Sequence, residues 1–118
     1  MPRATDGTRR KDHRKKILKQ AKGYWGRRSK LYRTAKDAVA KSLTYAYRDR
    51  KTKKREFRAL WITRISAGCR AEGMSYSRFM NGLKRANVQI NRKALSNLAI
   101  EDHEAFKALV GRARSALE

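Results

Sequence analysis

From Leu31 to Ala67 the chain contains neither glycine nor proline. Ala, Leu, Lys, Arg and other helix-compatible residues fill the run, which predicts one uninterrupted helix of about forty residues, roughly 60 Å long at 1.5 Å rise per residue. A domain built from 118 residues has at most one modest core and cannot enclose a rod of that length. Part of the helix must therefore lie against something other than the protein's own core.

The character of the run changes along its length. Leu31, Ala35, Ala38, Val39, Ser42, Leu43 and Ala46 form a stripe of mostly small residues at helical spacing. The stretch YAYRDRKTKKREFRALW follows, with seven basic residues between Arg48 and Arg58 against Asp49 and Glu56 alone. A helix that is polar on every face bridges other bodies, is braced by opposite-charge pairs, or is unstable by itself, and here the pairs are too few. Phe57, Leu60, Trp61, Arg64, Ile65 and Gly68 then return to a one-sided pattern, so a core stripe is expected to begin near Phe57.

Charge divides the chain. Lys and Arg number 32 against 10 Asp and Glu, a formal net charge of +22, of which residues 1–58 carry +17. An excess of that size points to a polyanionic partner. The same half holds few large apolar groups, chiefly Ile17, Leu18, Tyr24, Trp25, Leu31, Tyr32, Val39, Leu43, Tyr45 and Tyr47. Their burial falls short of the conformational entropy lost on ordering the segment, so a partner surface is expected to complete its folding.

Residues 1–12 read as an irregular leader, followed by a first helix from about Lys11 to Lys22. Gly23 and Gly26 bracket Tyr24 and Trp25, so GYWG is expected to bend and present two aromatic rings, with Ser29 as a cap for the long helix. Beyond it Gly73 is a natural C-terminal stop and Ser75 a natural N-cap. Three shorter helices follow, near Tyr76–Ala86, Arg92–Ala99 and His103–Leu117, started by Ser75, Asn91 and Asp102. Their expected inward faces are Tyr76, Phe79, Met80 and Leu83; then Leu95, Leu98 and Ile100; then Phe106, Leu109, Val110, Ala113 and Leu117, with Val88 and Ile90 filling a loop. The expected fold is all-α: a long basic N-terminal helical extension over residues 1–58, then a small helical globular domain over residues 59–118.

Catalytic and metal chemistry find no constellation. His13 and His103 are far apart, the acids are scattered, and Cys69 is alone, which excludes an intrachain disulfide and a multi-cysteine zinc site. His13 reads as a phosphate neighbour, His103 as a first-turn helix residue and Cys69 as a small packed hydrophobe. No enzyme, cofactor or metal is expected. The start, MPRATDGTRRKDH, has no apolar core of a signal peptide, and no apolar run approaches the length of a membrane span. An organelle transit peptide fits less well, because the basic pattern runs on through Arg58.

RRKDHRKKILKQAKGYWGRRSKLYRTAK interleaves cations with Tyr24, Trp25 and Tyr32, so phosphate neutralisation and base or sugar stacking can run along one path. A helix with cations on all sides suits a crevice with phosphates on several sides, as in a folded RNA, better than one face of a duplex. Abundant Arg adds bidentate phosphate contact. A DNA-compacting protein is the competing reading.

AKGYWGRRSKLYRTAK, YAYRDRKTKKREFRALWITRI and GMSYSRFMNGLKRANVQINRKAL resemble, over nearly the whole chain, the bacterial-type large-subunit ribosomal protein L-twenty family. The resemblance implies an all-α protein whose extension threads into 23S-type ribosomal RNA while the small domain sits on the RNA surface. It also implies an early role in organising that RNA during subunit assembly, a place in the cytoplasmic ribosome, and L-thirteen and L-twenty-one as neighbours. Members of the family can also repress their own translation through a messenger site that imitates the rRNA site. The RNA role carries over in the extension to Lys15, Lys16, Lys19, Lys22, Tyr24, Arg27, Arg28, Arg33, Arg48, Arg50, Lys51, Lys53, Lys54, Arg55 and Arg58. In the small domain it carries over to Ser77, Arg78, Asn81, Lys84 and Arg85. Asp49 and Glu56 are expected to orient neighbouring Arg side chains. The opening PRATDGT departs from the family pattern, carrying Asp6 and less positive charge, so no contact is carried over to the first eight residues.

Overall fold

The Gly- and Pro-free run folds as a single helix. The computed structural model describes residues 7–118, in the order α1 (Arg9–Gln20), a 3-10 turn (Gly26–Ser29), α2 (Tyr32–Ala71), α3 (Tyr76–Arg85), α4 (Arg92–Glu101) and α5 (His103–Ser115), with no strand among the described residues. The protein is all-α, a long basic helical extension followed by a small helical domain. Residues 1–6 of the expected leader lie outside the described residues, and α1 starts at Arg9, ahead of the expected Lys11. No helix among the described residues is long and apolar enough to cross a membrane.

Helix ends follow local chemistry. α2 stops at Gly73, whose φ of +71° suits a residue without Cβ. There the Gly73 amide donates to the Arg70 carbonyl at 3.0 Å and the Met74 amide to the Cys69 carbonyl at 2.9 Å. This paired closure satisfies two carbonyls that the helix leaves open, while Cys69 and Met74 meet in the core. α3 ends the same way with Asn87 at φ +54°. The Ser75, Asn91 and Asp102 side chains accept from the amides of Arg78, Ala94 and Ala105, at 3.4, 2.8 and 2.9 Å, and so cap α3, α4 and α5. Ser29 does not cap α2: its hydroxyl lies inside the 3-10 turn and donates to Gly26, 3.0 Å away. Thr34 Oγ1 ties the turn to α2 by donating to the Arg27 carbonyl at 3.0 Å.

Contacts divide the chain into two units, Met1–Lys51 and Thr52–Glu118, the division falling inside α2. In the first unit the buried set is Ala21, Ala35 and Val39, with Leu18 and Tyr24 packed against it. The second has a fuller core of Ile65, Cys69, Met74, Phe79, Leu83, Leu95, Phe106, Val110 and Ala113. Each large apolar side chain among them contributes on the order of 1.5–3 kcal/mol by leaving water. α5 packs on both α3 and α4, and the Phe79 and Phe106 rings meet at 5.4 Å with a 45° tilt. Arg114 Nη2 donates to the Glu72 carbonyl at 2.9 Å, and His103 Nε2 lies 3.3 Å from Glu72 Oε1, tying both ends of α5 to the end of α2.

Four positions expected to face the core from Phe57 onward face water, Arg64 among them. Phe57 is 44 % and Leu60 41 % exposed, so the deep part of α2's core stripe begins at Ile65 rather than near Phe57. Ile100 is also exposed, and Ala99 packs on the core instead. Periodicity marks a helix face, but a face is buried only where another element covers it.

Candidate nucleic-acid interface

Every residue from Leu43 to Leu60 is exposed except the half-buried Thr52. The helix here presents its whole circumference, and Arg48, Arg50, Lys51, Lys53, Lys54, Arg55 and Arg58 are all on the surface. Arg48 Nε lies 2.7 Å from Asp49 Oδ1, and that hydrogen bond, with the charge behind it, raises the Arg48 pKa. Asp49 thus orients an arginine, as expected, whereas Glu56 has no ion-pair partner among the described residues.

Aromatic rings hold four of the cations along α2. Lys41 Nζ and the Arg48 guanidinium both lie over Tyr45, at 4.9 and 4.6 Å from the ring centroid. Lys51 Nζ lies 4.4 Å over Tyr47 and donates to its hydroxyl at 2.9 Å. Lys53 reaches over Phe57 at 5.8 Å. The contacts restrain flexible stems while the charged heads keep access to an anion. Tyr45, Tyr47 and Phe57 were not among the sequence-predicted site residues.

On α1 and the turn, Lys15, Lys16, Lys19, Lys22, Arg27 and Arg28 are exposed, as is Arg33 at the start of α2. Tyr24 is half-buried against the alanine–valine cluster, while Trp25 is 92 % exposed. Of the two rings in GYWG, one braces the turn and the other is open. Gly23 at φ +89° and Gly26 at φ +60° make that reversal feasible. A groove of about 660 Å³ is lined by Gly7, Arg9, Arg10, His13, Arg14 and Tyr32. There Arg14 sits 5.5 Å over the Tyr32 ring and His13 meets the same ring edge-on at 6.3 Å. A second cleft of about 640 Å³ lies between the GYWG turn and α2, lined by Tyr24, Trp25, Arg28, Thr34, Asp37, Ala38, Lys41, Ser42 and Tyr45.

In the second unit Ser77, Arg78, Asn81, Lys84 and Arg85 are all exposed on α3. Asn81 and Lys84 join Asn87, Gln89 and Arg92 around a groove of about 710 Å³ floored by Met80, Leu83, Val88 and Ile90. Ser77, Arg78 and Arg85 do not line it. Arg92 Nε donates to the Tyr76 hydroxyl at 3.0 Å, which fixes the guanidinium beside the groove. Sequence reasoning missed Asn87, Gln89 and Arg92, because a loop and a helix start bring them alongside α3. Among the described residues no cluster of three or more His, Cys, Asp and Glu could hold a metal ion.

The sequence profile of a family described as ribosomal protein L20 matches residues 3–109. The large ribosomal subunit protein bL20 of Thermoanaerobacter sp. is 59% identical over 117 residues, covering 99% of this chain and 98% of that protein. The protein of the same name from Natranaerobius thermophilus is 56% identical over 117 residues, 99% and 100% of the two chains. That of Hydrogenobaculum sp. is 58% identical over 108 residues, 92% and 93% of the two chains.

Proposed function

Because the chain belongs to the ribosomal protein L20 family, we propose that it binds 23S-type rRNA directly and organises that RNA early in large-subunit assembly. It is a structural protein of the large ribosomal subunit rather than an enzyme, and it works in the cytoplasmic ribosome. What supports direct binding is the middle of α2, a helical stretch exposed around its full circumference and carrying seven cations between Arg48 and Arg58. No single duplex face can meet all of those charges, whereas a crevice in folded RNA can. Arg78, Asn81, Lys84 and Arg85 on α3 give the second unit its own RNA surface, with Arg92 beside it.

Competition binding tests the reading. The full chain is bound to folded large-subunit RNA at moderate salt and challenged with excess duplex DNA. Retention of the RNA is expected, and displacement at parity would make the protein a general polyanion binder of the DNA-compacting kind. Salt dependence alone does not separate the two, since either polyanion releases counterions.

Two finer roles complete the proposal, both drawn from the family resemblance. Neighbouring large-subunit proteins, L-thirteen and L-twenty-one among them, meet the residues that RNA leaves uncovered, and crosslinking in assembled particles tests this. A messenger segment with the shape of the rRNA site would occupy the protein equally well and repress its own translation. Adding purified protein to translation of its own messenger should then lower the yield, and excess rRNA fragment should restore it.

A further inference from the structure

We propose that the cleft between the GYWG turn and α2 is a pocket for one unpaired guanine of the bound RNA, read by Asp37 and stacked against Trp25. The inference rests on the rRNA-binding role and adds a base-specific subsite to it. At about 640 Å³ the cleft falls within the usual size range of ligand pockets. Trp25 is 92 % exposed, so its ring is open at the cleft to a planar ligand, while Lys41 and Arg48 lie over the Tyr45 ring beside it. Arg28 and Lys41 line the same cleft and supply charge for the phosphates on either side of the base. Ala38 and Ser42, small residues of α2, leave its floor open.

Asp37 identifies the base. A carboxylate in a segment carrying +17 opposes RNA binding unless it has a partner of its own. Lys41, one turn further along α2, stands where an ion pair would form. Yet Asp37 makes no ion pair or hydrogen bond among the described residues, and Lys41 lies over the Tyr45 ring instead. Both carboxylate oxygens are left to accept. Neutral guanine presents two adjacent N–H donors, N1–H and the 2-amino group, at the spacing a carboxylate accepts in pairs. Adenine and cytosine offer an amino group beside an acceptor, and uracil a single N–H. Use of that edge requires the guanine to be unpaired.

The test uses the full chain bound to folded large-subunit RNA, with ultraviolet crosslinks mapped to peptide and nucleotide. A crosslink from the segment holding Trp25 to an unpaired guanine is expected. Asp37→Asn removes a negative charge, so a carboxylate that merely repels RNA would give tighter binding. The proposal requires the opposite, an affinity loss of about tenfold, the scale of one bidentate base contact. Changing the mapped guanine to adenine should cost about the same, and combining both changes should add little, as for two halves of one contact. Trp25→Phe should bind nearly as the unaltered chain, whereas Trp25→Ala should lose about tenfold. A crosslink to another base, or an Asp37→Asn affinity that is unchanged or higher, overturns the pocket while leaving rRNA binding intact. Failure of the unaltered chain to prefer folded large-subunit RNA over duplex DNA overturns both.

Discussion

Gly82 of α3 is seated directly on Ala113 of α5: a Cβ at position 82 would fall 2.7 Å from the Ala113 Cβ and closer still to its carbonyl oxygen. The two backbones approach this far because one of them carries no side chain. Gly82→Ala should therefore destabilise the protein by about 1–3 kcal/mol, the usual cost of overpacking, despite the better helix propensity of alanine. Gly111, in α5, has open space where a Cβ would stand, with nothing within 4 Å. Gly111→Ala should stabilise by about 0.5–1 kcal/mol through propensity alone. Urea unfolding of the two variants should show midpoint shifts of opposite sign.

Ser96 is fully buried in α4 and its hydroxyl has no hydrogen-bond partner. A buried polar group without a partner keeps its desolvation cost uncompensated, on the order of 1–3 kcal/mol. Ser96→Ala is expected to raise stability by about 1 kcal/mol, with the gain read as a higher unfolding midpoint and an unchanged denaturant slope. A loss of stability would mean that the hydroxyl is satisfied in solution.

Much of this architecture is written in short-range chemistry. Gly73, Ser75, Asn91 and Asp102 can be read as helix boundaries because a cap acts through its own side chain or its own φ on amides a few residues away. Long-range placement is less legible. Phe57 and Leu60 carry the same periodic signal as Ile65, but only Ile65 is fully buried. Nothing in the period says where the covering helices reach. The guanidinium of Arg92 beside Tyr76 and the cleft joining Trp25 to Tyr45 each combine segments distant in sequence. The basic character of the interface could be read from composition, whereas the aromatic seats of its cations required the helix turn that brings Lys41 and Arg48 onto one ring.

Burial pushes the Cys69 thiol up from 9.0 to about 11. A raised folded-state pKa means that the native state holds its proton more tightly than the unfolded chain. The contribution is therefore complete below pH 9, where both states are protonated, and is lost as pH rises toward 11. Cys69→Ala should flatten the fall in stability between pH 9 and 11 relative to the unaltered protein. At pH 8 alkylation of the native thiol should be at least about tenfold slower than in denaturant, since the reactive species is the thiolate.

The two units should differ when separated. The fragment Thr52–Glu118 keeps the whole core from Ile65 to Ala113 and should melt cooperatively as a helical domain. Among its described residues the fragment Met1–Lys51 keeps only Ala21, Ala35 and Val39 buried. In dilute buffer without RNA its circular dichroism should show partial helix and a broad transition, with helicity rising on adding folded large-subunit RNA. A sharp cooperative melt of that fragment alone would show that its form does not depend on RNA.

Lys53, Lys54 and Arg55 sit on the exposed middle of α2, with no ion pair to a carboxylate among the described residues. If each neutralises one phosphate, replacing all three with Gln should reduce the magnitude of the log–log salt slope of RNA binding by about 2–3, because each contact contributes roughly 0.7–0.9. The thermal transition should scarcely move, since none of the three side chains is buried. Arg78→Ala with Lys84→Ala makes the parallel test in the second unit, where both side chains are exposed on α3. RNA affinity should fall while the melt stays nearly unchanged. An unchanged salt slope in the triple variant would remove the middle of α2 from the RNA interface, and a large drop in thermal stability in the double variant would assign Arg78 and Lys84 to the fold.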